Sequence, residues 1–171
     1  MADIKDILLG KSQKKWLPVF DGVNATSTVR FVIDSVLKGQ SLGPTVTAAK
    51  TSEEVINYVS KTPNAIGFIG VSWVGNKDDT TQLNYLKKVK VAQIESVNEL
   101  GIYVYPAQYN IYYRRYPMVR DLVYVLKEKG SGVGHGFAYF LSGQRGQLIF
   151  KRSYLTPATM KLNVRNAALR E

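Results

Sequence analysis

The chain of 171 residues has no cysteine. That excludes disulfide bonds, thiolate nucleophiles and cysteine-based zinc sites together. It has one histidine, His135, which leaves little room for a histidine metal cluster or a histidine-based catalytic pair. No apolar run approaches the ~20 residues of a membrane-spanning helix. The opening "MADIKDILLGK" is charged and has no long apolar stretch, so no signal peptide is expected in it. Acidic residues are also scarce beside basic ones, 13 Asp+Glu against 23 Lys+Arg, for a formal net charge of +10. Such a balance favours anionic partners, whether small anions, nucleic acid or an acidic membrane surface.

Hydrophobic residues make up 45% and charged residues 21% of the chain, the composition of a folded protein with a core. Along the sequence, helix and strand signals alternate. "ADIKDILLGKSQ" is a short helix with Asp3 as its cap and Gly10 as its stop. "KKWLPVFD" follows as a strand, moved toward an edge or a strand start by Pro18. In "NATSTVRFVIDSVLKG", Val29, Val32, Ile33, Val36 and Leu37 fall on one helical face, and Gly39 ends the helix. Thr45–Ala49 is a short strand. "TSEEVINYVSKTP" opens with a capping box, Thr51 and Glu54. "NAIGFIGVSWV" suits a buried strand. "DDTTQLNYLKK" is a helical turn or a loop, with Asp78 and Asp79 solvated. "VKVAQIES" and "LGIYVYP" are strands.

This alternation predicts an α/β fold with much parallel sheet flanked by helices. After Pro106 the character changes. "YNIYYRRYP" reads as a tyrosine-rich strand or crossover, and "DLVYVLKEK" alternates as a strand does. One or two helices with a break at Ser142–Gly143 follow, then a peripheral tail. The domain division is 1–104 and 105–171.

The candidate chemistry is modest. The segment Asn24, Ala25, Thr26, Ser27 and Thr28 precedes a helix, so its hydroxyls cap that helix, and its open N–H groups suit an oxyanion. "GSGVGHG" has four glycines but lacks the following strand and the acidic residue of a dinucleotide loop, so it reads as a flexible connection. His135 within it reads as incidental. No nucleophile elbow is present, and the chain reads as a non-enzyme with no cofactor and no metal. Tyr109–Pro117, with Arg114 and Arg115, is the basis of the alternative, a basic tyrosine-rich nucleic-acid-binding domain.

Taken in order, "DIKDILLGK", "FDGVNATSTVRFVIDSVL", "NAIGFIGVSWV", "YPMVRDLVYVLKE" and "FAYFLSGQRGQLIFKRSYLTP" resemble the phosphate-binding periplasmic protein of bacterial ABC importers. The resemblance implies a type II periplasmic-binding-protein fold, represented here by the second lobe (1–104) and the C-terminal part of the first (105–171). Nothing in the chain corresponds to the start of the first lobe. It implies a solute-binding component for phosphate or a related oxyanion, a periplasmic or envelope location, and an ABC permease as partner. Thr26, Ser27 and Thr28 match the family's Ser-Gly-Thr anion loop, Asn24 and Ala25 flank it, and the family's binding arginine falls at Gly22, with Arg30 as its substitute. An incomplete first lobe would leave apolar surface exposed, so self-association is expected.

Overall fold

The structure, a computed structural model, describes residues 1–22, 26–76 and 78–162. Three parallel strands organise its first half. β1 (Leu17–Asp21) lies in the centre, β2 (Thr47–Ala49) on one side and β3 (Ala65–Phe68) on the other, giving the order β2-β1-β3. Val19 is paired with Thr47, and Leu17 with Ala65. Pro18 thus sits near the start of a strand, as one of the two expected placements has it, and that strand is the central one rather than an edge. The proline lies one residue ahead of the β2 register, so its missing N–H removes no bond on that side.

Side chains alternate across β1 and place a core on each face. Phe20 points to one face, where it stacks on Phe68 with ring centroids 4.7 Å apart. There it joins Leu8 of α1 (Ala2–Leu8) and Val29, Val32, Val36 and Leu37 in one buried cluster, against which Met118 also packs. Val19 is buried on the opposite side, as are Val55 and Ile56 of α3 (Ser52–Lys61). Gly67 belongs to that second face. A Cβ there would lie 2.7 Å from Val55 and 3.1 Å from Val59, so the bare backbone is what lets α3 approach β3.

Several elements differ from the sequence expectation. The cap of α1 is Met1, and Asp3 lies in the first turn, where its charge favours the helix N-terminus. The helix after "NATST" starts as α2 (Ser27–Phe31) and widens into a π-helical run, Val32–Val36. Thr28, Val29, Val32, Ile33 and Val36 are β-branched and crowd the i+3 and i+4 contacts of an α-helix. The wider turns, with Leu37 N–H bonded to Val32 O at 2.8 Å, bury Val32, Val36 and Leu37 together. "NAIGFIGVSWV" supplies only the four-residue edge strand β3, half-buried, then a 3₁₀ turn at Val71–Trp73. An edge strand has one open flank, and its glycines end it early.

"DDTTQLNYLKK" forms α4 (Thr80–Lys88). Asp79 is its cap and accepts from Thr81 N at 2.8 Å, so this carboxylate is structural rather than merely solvated. The next two expected strands shrink to a short antiparallel pair, β4 (Ile94–Glu95) and β5 (Tyr103–Val104), around buried Ile94 and Val104. "YNIYY" is helical, α5 (Gln108–Tyr112), and not a strand. "DLVYVLKEK" forms no strand, because among the described residues its backbone has no hydrogen-bonding partner. α6 (Val133–Ser142) and α7 (Gln144–Arg152) break at Gly143 as the sequence indicated. The segment after α7 is held more firmly than a peripheral tail. Pro157 is buried, and Gln147 Oε1 accepts from Ala158 N at 2.7 Å and Thr159 N at 3.2 Å.

Candidate functional site

The strand order itself selects one edge of the sheet. From β1 the chain crosses to β2 on one side, then returns past β1 to β3 on the other. Right-handed crossovers then place α2 and α3 on opposite faces, as the two cores require. Loops leaving β1 and β3 diverge at their C-terminal ends, and the crevice between such loops is where open α/β sheets bind ligands.

Asp21 ends β1 at that edge. Its Oδ2 accepts from Ser52 Oγ at 2.8 Å, which ties the β1 end to the start of α3. Its Oδ1 is buried and has no donor among the described residues. The same edge carries the α3 cap, where Thr51 Oγ1 accepts from Glu54 N at 3.2 Å. Glu54 Oε2 accepts from Lys50 N at 2.8 Å. The capping box is therefore real, but the returning carboxylate takes the amide one residue before the cap.

Gly22 follows, at φ +114. A Cβ at this position would lie 2.4 Å from Thr26 Cγ2. Both the dihedral and the methyl contact exclude a side chain. That is the physical reason position 22 cannot hold the arginine that the resemblance would place there. Asn24 and Ala25, two of the residues expected at the site, lie outside the described residues.

Thr26 is the N-cap of α2, and its Oγ1 accepts from Val29 N at 3.3 Å. Capping thus occurs, and it does not exhaust the hydroxyl, whose proton remains available for donation. Arg30 N–H bonds back to Thr26 O at 3.0 Å. The N–H groups of Ser27 and Thr28 have no acceptor among the described residues, as the first turn of a helix dictates. Ser27 is exposed and Thr28 half-buried.

Arg30 is one turn further on and exposed. It lines a cavity of about 500 Å³ with Phe20, Gly22, Val29, Leu42 and Thr47. The structure thus brings Arg30 and Gly22 to one hollow, while Thr26, Ser27 and Thr28 stand at its approach and not in its lining. Sequence reasoning missed Asp21 and Ser52. The available signal was an aspartate at the last position of a strand, directly before a glycine that opens a turn.

The other candidates take structural roles. Gly132 caps α6, and Gly134 and Gly136 lie inside it, so the glycine-rich segment is no phosphate loop. His135 N donates to Glu128 Oε2 at 2.9 Å, and its Nδ1 lies 3.4 Å from the same oxygen. Tyr113 packs against Tyr109 and Tyr112, with ring centroids 4.7 and 5.0 Å away in tilted and edge-on geometry, not as a flat stacking platform. Arg115 is held by Glu99 at 2.8 Å. This ion pair counts against the nucleic-acid alternative. Burial pushes the neighbouring Tyr116 hydroxyl up to about 12. No group of three or more metal-ligating side chains occurs among the described residues, and no helix among them is long and apolar enough to cross a membrane.

Residues 1–144 match the family described as the PBP superfamily domain. No curated protein and no solved structure matches the chain. The match covers the parallel sheet, both of its helical layers and the β1–α2 turn. With most of its length inside that domain, this chain belongs to the periplasmic-binding-protein superfamily, whose domains bind solutes.

Proposed function

We propose that this chain is the solute-binding component of an ABC importer for phosphate or a closely related oxyanion, acting in the periplasm or cell envelope. The anion would dock at the turn between β1 and α2. Open N–H groups of Ser27 and Thr28 and the Thr26 hydroxyl would donate to its oxygens, and Arg30 would supply the cation. Asn24 and Ala25 belong to the same proposed loop.

One observation carries the reading: Asp21 has a buried oxygen without a donor beside a helix start with donors to spare. A buried acceptor of that kind calls for a hydrogen. Hydrogen phosphate brings both kinds of group, oxygens for the N–H donors and an O–H for the carboxylate. Sulfate at neutral pH brings acceptors alone, so Asp21 would disfavour it.

Hinge closure around a ligand uses two lobes, and the proposed residues form one jaw. Affinity of this chain by itself is therefore expected to be weak, on the order of 1 mM. The test is an amide NMR titration with phosphate and, separately, sulfate at moderate salt. Phosphate should shift the amides of Ser27 and Thr28 saturably, and sulfate should do so less. Asp21→Asn should narrow the difference between the two anions. Shifts scattered over the amides of exposed lysines and sparing residues 26–30 would defeat the proposal.

A further inference from the structure

We infer that residues 119–129, "VRDLVYVLKEK", are a two-fold pairing segment that joins two copies of this chain through an antiparallel strand ladder. The inference is independent of the anion site. It starts from exposure. Every residue from Arg120 to Val133 is exposed, including Leu122 (70%), Val123 (77%) and Val125 (93%). Val, Tyr and Leu in this density belong to strands, and a strand-forming stretch with unpaired N–H and C=O groups is a template for another chain. No backbone hydrogen bond reaches 119–129 from the described residues.

Its side chains already alternate. Tyr124 donates its hydroxyl to Ala138 O of α6 at 3.4 Å. A Cβ on Gly134 of α6 would touch Leu126, and one on Gly132 would touch Glu128. Tyr124, Leu126 and Glu128 therefore lie toward α6 and its N-cap, while Val123 and Val125 are exposed.

The occupant is identified by the sequence of the segment itself. If two copies run antiparallel about a two-fold axis through Tyr124, Arg120 faces Glu128 and Asp121 faces Lys127 of the other copy. Leu122 then faces Leu126, Val123 faces Val125, and Tyr124 faces its own equivalent. Every charged position from 120 to 128 meets its opposite, and every apolar position meets an apolar one. An isologous interface demands this self-complementarity, and directly opposed unlike charges and matched apolar pairs stabilise a ladder. A shift of one residue in either direction would set Arg120 against a lysine and break both charge pairs.

Val133, Phe137 and Tyr139 of α6 are each more than half exposed, so apolar surface beside the segment extends the patch toward the ~800 Å² per partner of a standard interface. α6 also supplies the second layer without which a two-stranded ribbon is marginal.

Sedimentation velocity on the full chain, from low to high micromolar concentration, is the test. A concentration-dependent dimer is expected. Asp121→Lys and Lys127→Asp alone should each weaken it about tenfold or more, since each sets like charges face to face twice per dimer. The double variant D121K/K127D should restore it, because the cross-pair is rebuilt with its signs exchanged. The chain lacks cysteine, so Tyr124→Cys adds a second readout: oxidation should link two copies through position 124. A chain that stays monomeric throughout, a dimer indifferent to the charge exchange, or a double variant no better than the singles would each overturn the inference.

Discussion

Alanine at position 22 should be costly out of proportion to its size, for two separable reasons. The first is the dihedral. Gly22 sits at φ +114, where an L side chain is strained by about 1–2 kcal/mol. The second is contact. The new methyl would lie 2.4 Å from Thr26 Cγ2. Relief requires Thr26 to turn, which removes the Oγ1 bond to Val29 N, a cap worth about 1 kcal/mol. Gly22→Ala should therefore cost about 2–3 kcal/mol. A ΔΔG of that size lowers Tm by roughly 4–12 °C in a chain of this length. Thr26→Ser separates the two parts, because it deletes the offending methyl and keeps the capping hydroxyl. Alone it should change stability by less than ~0.5 kcal/mol. Combined with Gly22→Ala it should recover about 1 kcal/mol, leaving only the dihedral cost. Urea unfolding read by circular dichroism, with the m-value constant across the four proteins, measures this cycle. A Gly22→Ala cost below ~0.5 kcal/mol, or strict additivity in the double variant, would refute the reasoning.

Other expectations follow from single contacts. Phe20→Ala removes a ring that is 1% exposed and stacked on Phe68, and should cost about 3–5 kcal/mol in the same urea assay. Asp79→Ala should cost about 1 kcal/mol and fray α4, seen as faster amide exchange at Thr81 and Gln82, whose N–H groups it accepts from. Gln147→Ala should free residues 158 and 159, which its carboxamide holds, and open that stretch to limited proteolysis before the rest of the chain. Tyr116 should ionise near pH 12, held neutral by burial. The unfolded chain loses that proton near pH 10, so between about pH 10 and 12 it binds fewer protons than the native state and stability falls as pH rises. Ultraviolet titration should show Tyr116 among the tyrosines that lag, with Tyr85, also raised by burial, and Tyr116→Phe should flatten the stability slope.

What the sequence made legible depended on how local its cause was. The helix 52–61 is written in Thr51, Glu54 and a clean apolar stripe, all within one turn of each other or of the core. The break at Gly143 is equally local, and so was the α/β alternation that led to the fold. The failures share a different cause. "DLVYVLKEK" has the composition of a strand, but a strand exists only where another lies beside it, and that depends on distant chain. Pro18 lies near the start of β1, one of the two placements expected of it, but that β1 is the central strand is set by the crossover and not by its neighbours. At the candidate site, the hydroxyl run of 26–28 and the cap were visible in the sequence. Asp21 and Ser52 were not, since their 2.8 Å bond joins the end of β1 to the start of α3, 31 residues further along the chain.

The parallel sheet also sets the order in which this chain can fold. β1 gains nothing until Thr47 and Ala65 arrive, each across a long intervening loop. Parallel pairing therefore demands loop-closure entropy before it returns any contact energy. α6 and α7, joined directly at Gly143, close by local encounter. Assembly of the two regions should occur on separate timescales, with the helical hairpin early and the sheet late. Mutations in the early α6–α7 hairpin should then slow refolding, while those that act only in the late-formed sheet should chiefly hasten unfolding.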